Sequence, residues 1–408
     1  MNSSSSSALR VIAAALLAGC LTGGRAQETV RPEVGKILQD ASALIKAQKY
    51  KEALARVRDA DAVPNKSAND SLTIERMRMA AASGAGDTET AARAFDAVNA
   101  SGKLPAADKL RMMESLAGSY YRARDYPKAI TWSQRYLKEG GSNGAIRNLL
   151  IQSQYLGGDT AGAARELVAE IQADEKNGRA PAEERLNLLL NAAMRQADGR
   201  TDVFALERLV TYYPKKEYWA ELLNRVQRKQ EFSDRFALDA YRLMLATGSM
   251  RNANDYMEMT QLALQAGFAA EAKAAIDKGF AANVLGTGAE ADRQKRLRDL
   301  AYKKADEDKA TLAEREAQAA GSKDAAALVS IGFNQALAGQ GAKGVALIEK
   351  GIAIGGLKRP EDAKLRLGQA LVLAGESAKA TSVLRSVVGT DGAADLARLW
   401  TLLGRRKT

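Results

Sequence analysis

The sequence contains no histidine, and its only cysteine is Cys20. The first absence excludes a Ser-His-Asp triad, a Cys-His pair and any histidine-ligated metal. The second excludes an intramolecular disulfide, so stability has to come from packing. No GxxxxGK[ST] loop and no strand-associated GxGxxG occurs, which leaves nucleotide binding without support. Only seven prolines occur in 408 residues, and no Ser/Gly-rich tract follows the N-terminus, so no long linker is expected. Period-2 alternation of Val, Ile and Thr is nearly absent, which argues against strands. Beyond the N-terminal segment no run is apolar enough to span a bilayer. No cofactor, no metal site and no enzymatic activity are expected from such a chain.

What remains is helix. Hydrophobic residues make up 46% and charged residues 27%, a globular balance in which Ala, Leu, Lys, Arg and Glu dominate. The clearest element is a helical hairpin, LAGSYYRARDYPKAITWSQRYL, from Leu116 to Leu137. Leu116, Ala117 and Tyr120 mark one helix face; Tyr126, Ala129 and Tyr136 mark the next, across an Arg124-Asp125 turn. An earlier unit keeps the same offsets through Tyr50, Ala53 and Ala60. Steps of three and seven return to one helical face, and alanine suits the point where two helices approach closely. IGFNQALAGQGAKGVALIEKG and LRLGQALVLAGESAKATSVLRS are close internal copies, with Gly332 matching Gly368 and Gly344 matching Ala380.

The pattern resembles the tetratricopeptide repeat (TPR) over most of residues 33–402. Ala129 and Ala163 lie 34 residues apart, the nominal repeat length. Trp219 and Leu222 fit the opening of another first helix, as do Tyr256 and Met259 with Ala272 to follow. Departures are visible: Ala53, Ala91 and Ala129 are spaced by 38 residues, and Ala163 to Ala205 is 42. Residues 201–250 and 289–320 fit the pattern poorly. The resemblance implies an all-α solenoid of about ten stacked antiparallel helix pairs in a right-handed superhelix.

The first 26 residues read as a secretory signal peptide. A polar start with Arg10 precedes the apolar run VIAAALLAGCL, and small residues lead to Ala26. Leu17-Ala18-Gly19-Cys20 resembles a bacterial lipobox, in which Cys20 is the lipidation site; Gly24-Arg25-Ala26 before Gln27 resembles an ordinary cleavage site. Either reading places the protein in the bacterial envelope, in the periplasm or as an outer-membrane lipoprotein. Membrane association is expected only if Cys20 is lipidated. The net charge of +11 becomes +9 once Arg10 and Arg25 leave with residues 1–26. Because both signs are interspersed, a solvated surface accounts for that surplus, and export disfavours nucleic acid as a partner.

The expected organisation is a signal peptide (1–26), an N-terminal solenoid (27–285), a charged helical segment (286–320) and C-terminal repeats with a capping helix (321–408). The charged segment reads as one exposed helical hairpin with Leu297, Leu300, Ala301 and Leu312 as its buried stripe. Leu396, Leu399, Trp400 and Leu403 mark the capping helix.

In TPR proteins the first helices line a concave groove. With Ala129 and Ala163 as second-helix alanines, the resemblance places Arg111, Glu114, Tyr121, Asn148, Gln152 and Tyr155 on that groove. Continuing along the chain adds Glu217, Asn224 and Gln227, then Asn254 and Gln261, with Arg122 near the N-terminal end. Amides both donate and accept, which suits the main chain of an extended peptide. The expected function is therefore an exported, non-enzymatic scaffold or adaptor that binds a protein or peptide partner. The alternative is a structural subunit of an envelope assembly, lipid-anchored where Cys20 is modified, that holds its neighbours through convex faces.

Overall fold

The structure, a computed structural model, describes residues 30–405; the expected signal peptide, both cleavage sites and Cys20 lie outside the described residues. Among the described residues there are twenty α-helices, one 3₁₀ turn and no strand. The all-α expectation holds, and the helices pack as successive antiparallel pairs. No helix of the described residues is long and apolar enough to cross a membrane.

The chain divides into two compact units, one ending at Glu170 and one beginning at Ile171. The first holds α1 (Pro32–Lys46), α2 (Tyr50–Asp61), α3 (Ala68–Ala85), α4 (Thr88–Ala100), α5 (Ala106–Arg122), α6 (Tyr126–Lys138) and α7 (Gly144–Leu156). Helix α8 (Thr160–Lys176) crosses the boundary. The second unit continues with α9 (Glu183–Arg195), α10 (Gly199–Tyr212), α11 (Lys216–Gln227), α12 (Ala237–Thr247), α13 (Ala253–Gln265) and α14 (Ala269–Ala281). It ends with α15 (Ala291–Gly321), α16 (Ala325–Leu337), α17 (Gly341–Ile354), α18 (Pro360–Leu373), α19 (Ser377–Arg385) and α20 (Ala393–Gly404).

One local device makes the hairpins. Most first helices end at a residue with positive φ, such as Gly86 (75°), Arg124 (60°) or Ala197 (53°), whereas α11 ends without one. The next backbone N–H then donates to the carbonyl five residues earlier, as Asp125 does to Tyr120 at 3.0 Å. That closes the last turn and frees the chain to reverse. Asp87, Asp125, Asp159 and Asp198 cap the following helices, each accepting from a backbone N–H three residues on. Four residues after the first three caps lie Ala91, Ala129 and Ala163, all buried at the contact with the preceding helix.

The same rule corrects the long repeat step. Four residues after Asp198 stands Asp202, not Ala205, and Asp202 is buried, with Arg225 on α11 at 3.2 Å. Burial raises the Asp202 pKa, against the pull of Arg225. An aspartate at the position of closest approach is why 201–250 fits the pattern poorly, although Ala205 is buried one turn later.

The hairpin expected at 289–320 is a single helix instead. α15 runs unbroken for 31 residues, because nothing between Ala291 and Gly321 supplies a turn. Its buried positions are Gln294, Ala301 and Ala319, while Leu297 and Leu312 are half-buried and Leu300 is exposed. The breaks at Gly286 and Gly288, both with positive φ, and at Gly321 coincide with its ends. Lys323 (φ 54°) and Gly339 (φ 86°) then make two repeat-type turns in succession, α15 to α16 and α16 to α17. α15 is thus a supernumerary helix. After it, α16 and α17 approach so closely that a Cβ at Gly332 would stand 2.6 Å from the Gly344 carbonyl oxygen.

Within the second unit the chain also closes on itself. Helix α20 seals α18 and α19, as the capping expectation requires, with Leu396, Leu399, Trp400 and Leu403 all buried. It packs in addition against α12 and α10. Lys229 pairs with Asp395 at 2.8 Å, Arg235 with Asp391 at 2.6 Å and Asp362 at 3.2 Å, and Arg398 with Glu207 at 2.6 Å. The Ser233 N–H donates to the Asp391 carbonyl at 2.9 Å. Gly392 is needed at this seam: its φ is 106°, and a Cβ there would lie 2.6 Å from the Phe232 ring.

Candidate functional site

In the first unit the candidate groove residues sit on the first helices α5 and α7, as the resemblance implies. Arg111, Arg122, Asn148 and Gln152 are exposed; Glu114, Tyr121 and Tyr155 are half-buried. The Tyr121 hydroxyl on α5 donates to Gln152 Oε1 on α7 at 2.8 Å, joining two candidate positions across neighbouring pairs. Glu114 accepts from the Asn143 side-chain amide at 2.9 Å, at the start of α7. Arg111 reaches back to Asp108 at 3.6 Å. Arg122 donates to Ser119 Oγ at 3.0 Å and has no carboxylate partner.

Arg122 also lines a cleft of about 390 Å³ between α3 and α5, with Ser83, Thr88, Ser115 and Ser119 as its other polar walls. The cleft exists because the close contacts behind it are small. Ala82, Ala91 and Ala117 are fully or nearly buried there. Beneath α5 and α6, Phe95 and Trp132 stack edge-to-face at 5.4 Å, and the Arg135 guanidinium covers both rings while pairing with Asp96.

In the second unit the candidates scatter. Glu217 and Asn224 line a cleft of about 600 Å³ between α11 and the turn before α13, together with Lys216, Arg228 and Arg251. Gln227 is half-buried on α11 but outside that cleft. Asn254 is exposed and Gln261 half-buried on α13, and neither lines a cavity. The cavity inside this unit is walled by α12, α13 and α14 and, beyond the extra helix α15, by α16, α18 and α20.

The most constrained group in the unit lies at that interior and was not foreseen. Asp239 and Arg242 on α12, Glu271 on α14 and Gln369 on α18 are all buried. Arg242 donates to both oxygens of Glu271 at 2.7 Å and to Asp239 at 3.0 Å. Arg366 on α18 grips Asp239 with both ends of its guanidinium, and Gln369 donates to it at 2.9 Å. Phe268 and Phe333 flank Arg242 with centroids 4.9 and 4.8 Å from its guanidinium carbon. Burial alone would raise the Asp239 pKa, but Arg366 and Arg242 overcome it and hold the carboxyl at about 2. The hint in the sequence was an Asp and an Arg three residues apart inside an otherwise apolar segment, ALDAYRLMLA. Their partner 127 residues away, Arg366, leaves no periodic trace.

Three of the carboxylates that lie close together in the sequence are separately engaged. Asp308 is tied to Arg315 and Asn334, Glu307 to Lys304, and Asp255 to the Arg251 backbone. Among the described residues no group of three carboxylates is placed to hold a metal ion.

The class defined by this geometry is an α-solenoid of TPR-like helix pairs. No protein-family model matches the chain, and no curated protein matches it. Solved repeat proteins do. The TPR2AB domain of yeast Sti1 in a complex with HSP90 is 13% identical, with 72% of this chain and 98% of that one covered and a TM-score of 0.23. Yeast Tom70 is 11% identical over 92% of this chain and 96% of its own, with a TM-score of 0.25. The pentatricopeptide repeat protein PPR10 from maize is 16% identical over 93% and 57%, with a TM-score of 0.26. At these identities and scores the likeness says nothing of ligand or partner.

Proposed function

We propose that the protein is an exported, non-enzymatic scaffold that captures an extended segment of a partner protein on the first-helix face of its first unit. The observation that carries this reading is the polar surface that α5 and α7 share, joined by the Tyr121–Gln152 hydrogen bond and flanked by Arg122, which donates to Ser119 and meets no carboxylate. An extended peptide rising about 3.3 Å per residue meets amides and hydroxyls there, and an acidic side chain or terminal carboxylate suits Arg122. Secretion, and either lipidation at Cys20 or cleavage after Ala26, belong to the same proposal.

The test is a pull-down from bacterial envelope extract with Asn148→Ala/Gln152→Ala beside the wild type and a convex-face control, Thr131→Ala on α6. Capture is expected to fall in the groove variant alone, at unchanged thermal stability, because exposed polar substitutions cost little. Loss of capture in the α6 control alone would instead favour a structural subunit held through its convex surface. Mass spectrometry of the mature N-terminus separates Gln27 from a lipidated Cys20, and recovery of intact Met1 from the cytosol would refute export.

A further inference from the structure

Helix α15 carries more length and charge than its packing uses. Of its 31 residues only Gln294, Ala301 and Ala319 are buried. Helical periodicity sets Arg296, Leu300, Lys303, Glu307, Ala310 and Glu314 on the opposite side, and all six are exposed. Their spacing alternates between four and three residues. That alternation holds residues on one seam of a helix, and it is the spacing by which two helices pair along their length.

The charges along α15 are sorted by sign. Residues 292–304 include six basic and two acidic side chains, and residues 305–317 five acidic and two basic ones. Arg296, Lys303, Asp306 and Glu314 make no hydrogen bond or ion pair among the described residues. Glu307 is met by Lys304, three residues back, at 2.8 Å. Basic before acidic is the weaker order for pairing within one helix, so this layout does little for α15 alone.

Turned end for end, the same seam is complementary to itself. About a two-fold axis at Ala305, Lys303 meets Glu307 of a second copy, Arg296 meets Glu314, and Leu300 meets Ala310. Beside the axis Lys304 meets Asp306. The axis repeats each of these contacts, so the charges on the seam face the opposite sign. A parallel pair would set Arg296 on Arg296 and Glu314 on Glu314, and like charges face to face exclude it.

We propose that α15 pairs antiparallel with α15 of a second copy of this chain, through one self-complementary surface. Layers made mostly of ions at an exposed contact give a weak, salt-sensitive dimer. The contact belongs to the second unit and stands whether or not the peptide reading of the first unit holds.

Sedimentation equilibrium of the full chain is the test, with Cys20→Ser in every sample so that neither a native disulfide nor an attached lipid contributes. Dimer should be present at low ionic strength and absent at about 1 M salt, where the screening length is about 3 Å. Arg296→Glu and Glu314→Arg should each weaken the dimer more than about tenfold, since each sets like charges across the axis twice. Mixed in equal amounts, the two variants should dimerise again, because each supplies the sign the other has lost. Both positions are exposed, so circular dichroism should match the wild type. Oxidation should link two chains of the Leu300→Cys/Ala310→Cys variant, whose thiols lie about 15 Å apart on one helix and cannot bridge within it. A chain that stays monomeric at low salt overturns the proposal. So does a mixture that fails to recover, which would mean that net charge rather than register weakened the single variants. Efficient cross-linking by Leu300→Cys alone would make the pairing parallel and overturns it as well.

Discussion

The two units solve the same packing problem in different ways. In the first, alanines at 53, 91 and 129 set helix contacts that are apolar and local, and each pair leans on its neighbours in sequence. Most charges there stay near the surface, as in the Lys128–Glu89 and Arg135–Asp96 pairs, and the one buried carboxylate among its described residues, Asp70, is held locally by Arg31 and the Ser67 cap. In the second, the chain returns on itself, and α12 and α18 are tied through Asp239 by residues 127 and 130 positions apart. Repeat packing alone makes stability a sum of nearest-neighbour terms. Closure adds a long-range term, and this protein makes it from buried ions as well as from the apolar face of α20.

That contrast fixes where substitutions hurt most. Removing one member of a buried ionic group leaves the others unpaired, at a cost of about 3–5 kcal/mol. Arg242→Ala leaves the buried Glu271 without its partner and strips one contact from Asp239, which keeps Arg366 and Gln369, so it should be the most damaging single change in the molecule. Hydrogen exchange is expected to show α12, α14 and α18 losing protection while α3 to α6 keep theirs. Equal loss in both units would mean that they do not differ as argued.

The counterpart in the first unit is steric. Ala129 is fully buried where α6 meets α5, and overpacking such a contact costs about 1–3 kcal/mol. Ala129→Leu should lower the denaturant midpoint of the first unit accordingly, and wild-type stability would show that the contact has room to spare.

Acid tests the closure directly. The Asp239 carboxyl titrates at about 2 in the folded chain, below its ordinary 3.8. The unfolded chain therefore binds its proton first as pH falls. Asp239's contribution is fully present above about pH 4 and is lost as pH drops through 2. Asp239→Asn should flatten this part of the pH–stability curve for the second unit and leave the first unchanged. An unaltered acid transition would remove Asp239 from the closure.

Much of the fold could be read from the sequence because it is local. The small residues four positions after Asp87, Asp125 and Asp159, the aromatics Tyr50 and Tyr126 at their turns and the glycines 286 and 288 ahead of α15 are all local signals that helix geometry makes readable. Two things were unreadable for physical reasons. A 31-residue charged helix with three buried positions has too narrow a stripe for periodicity to distinguish it from a hairpin. Asn254 and Gln261 do not line the interior cavity, although Met259 on the same helix does, so helix position by itself did not assign them a role. The Asp239 group depends on closure, a property of the whole unit that no window of sequence contains.

The smallest expected effect tests the device that both units share. Gly86 and Gly158 end their helices with φ of 75° and 91°, but the equivalent residue between α5 and α6 is Arg124 at 60°. A side chain in this conformation costs about 1–2 kcal/mol, and glycine's freedom in the unfolded chain takes back about 0.5–1. Arg124 is exposed, so no packing is lost with its side chain. Arg124→Gly should therefore stabilise the first unit by up to about 1 kcal/mol, which is roughly 2–4 °C in Tm for a domain of this size. In the second unit Ala197 at 53° occupies the same place, and Ala197→Gly should give a gain of similar size there. If Arg124→Gly destabilises while Ala197→Gly stabilises, the arginine side chain is contributing a contact of its own, and the turn is not interchangeable between the two units.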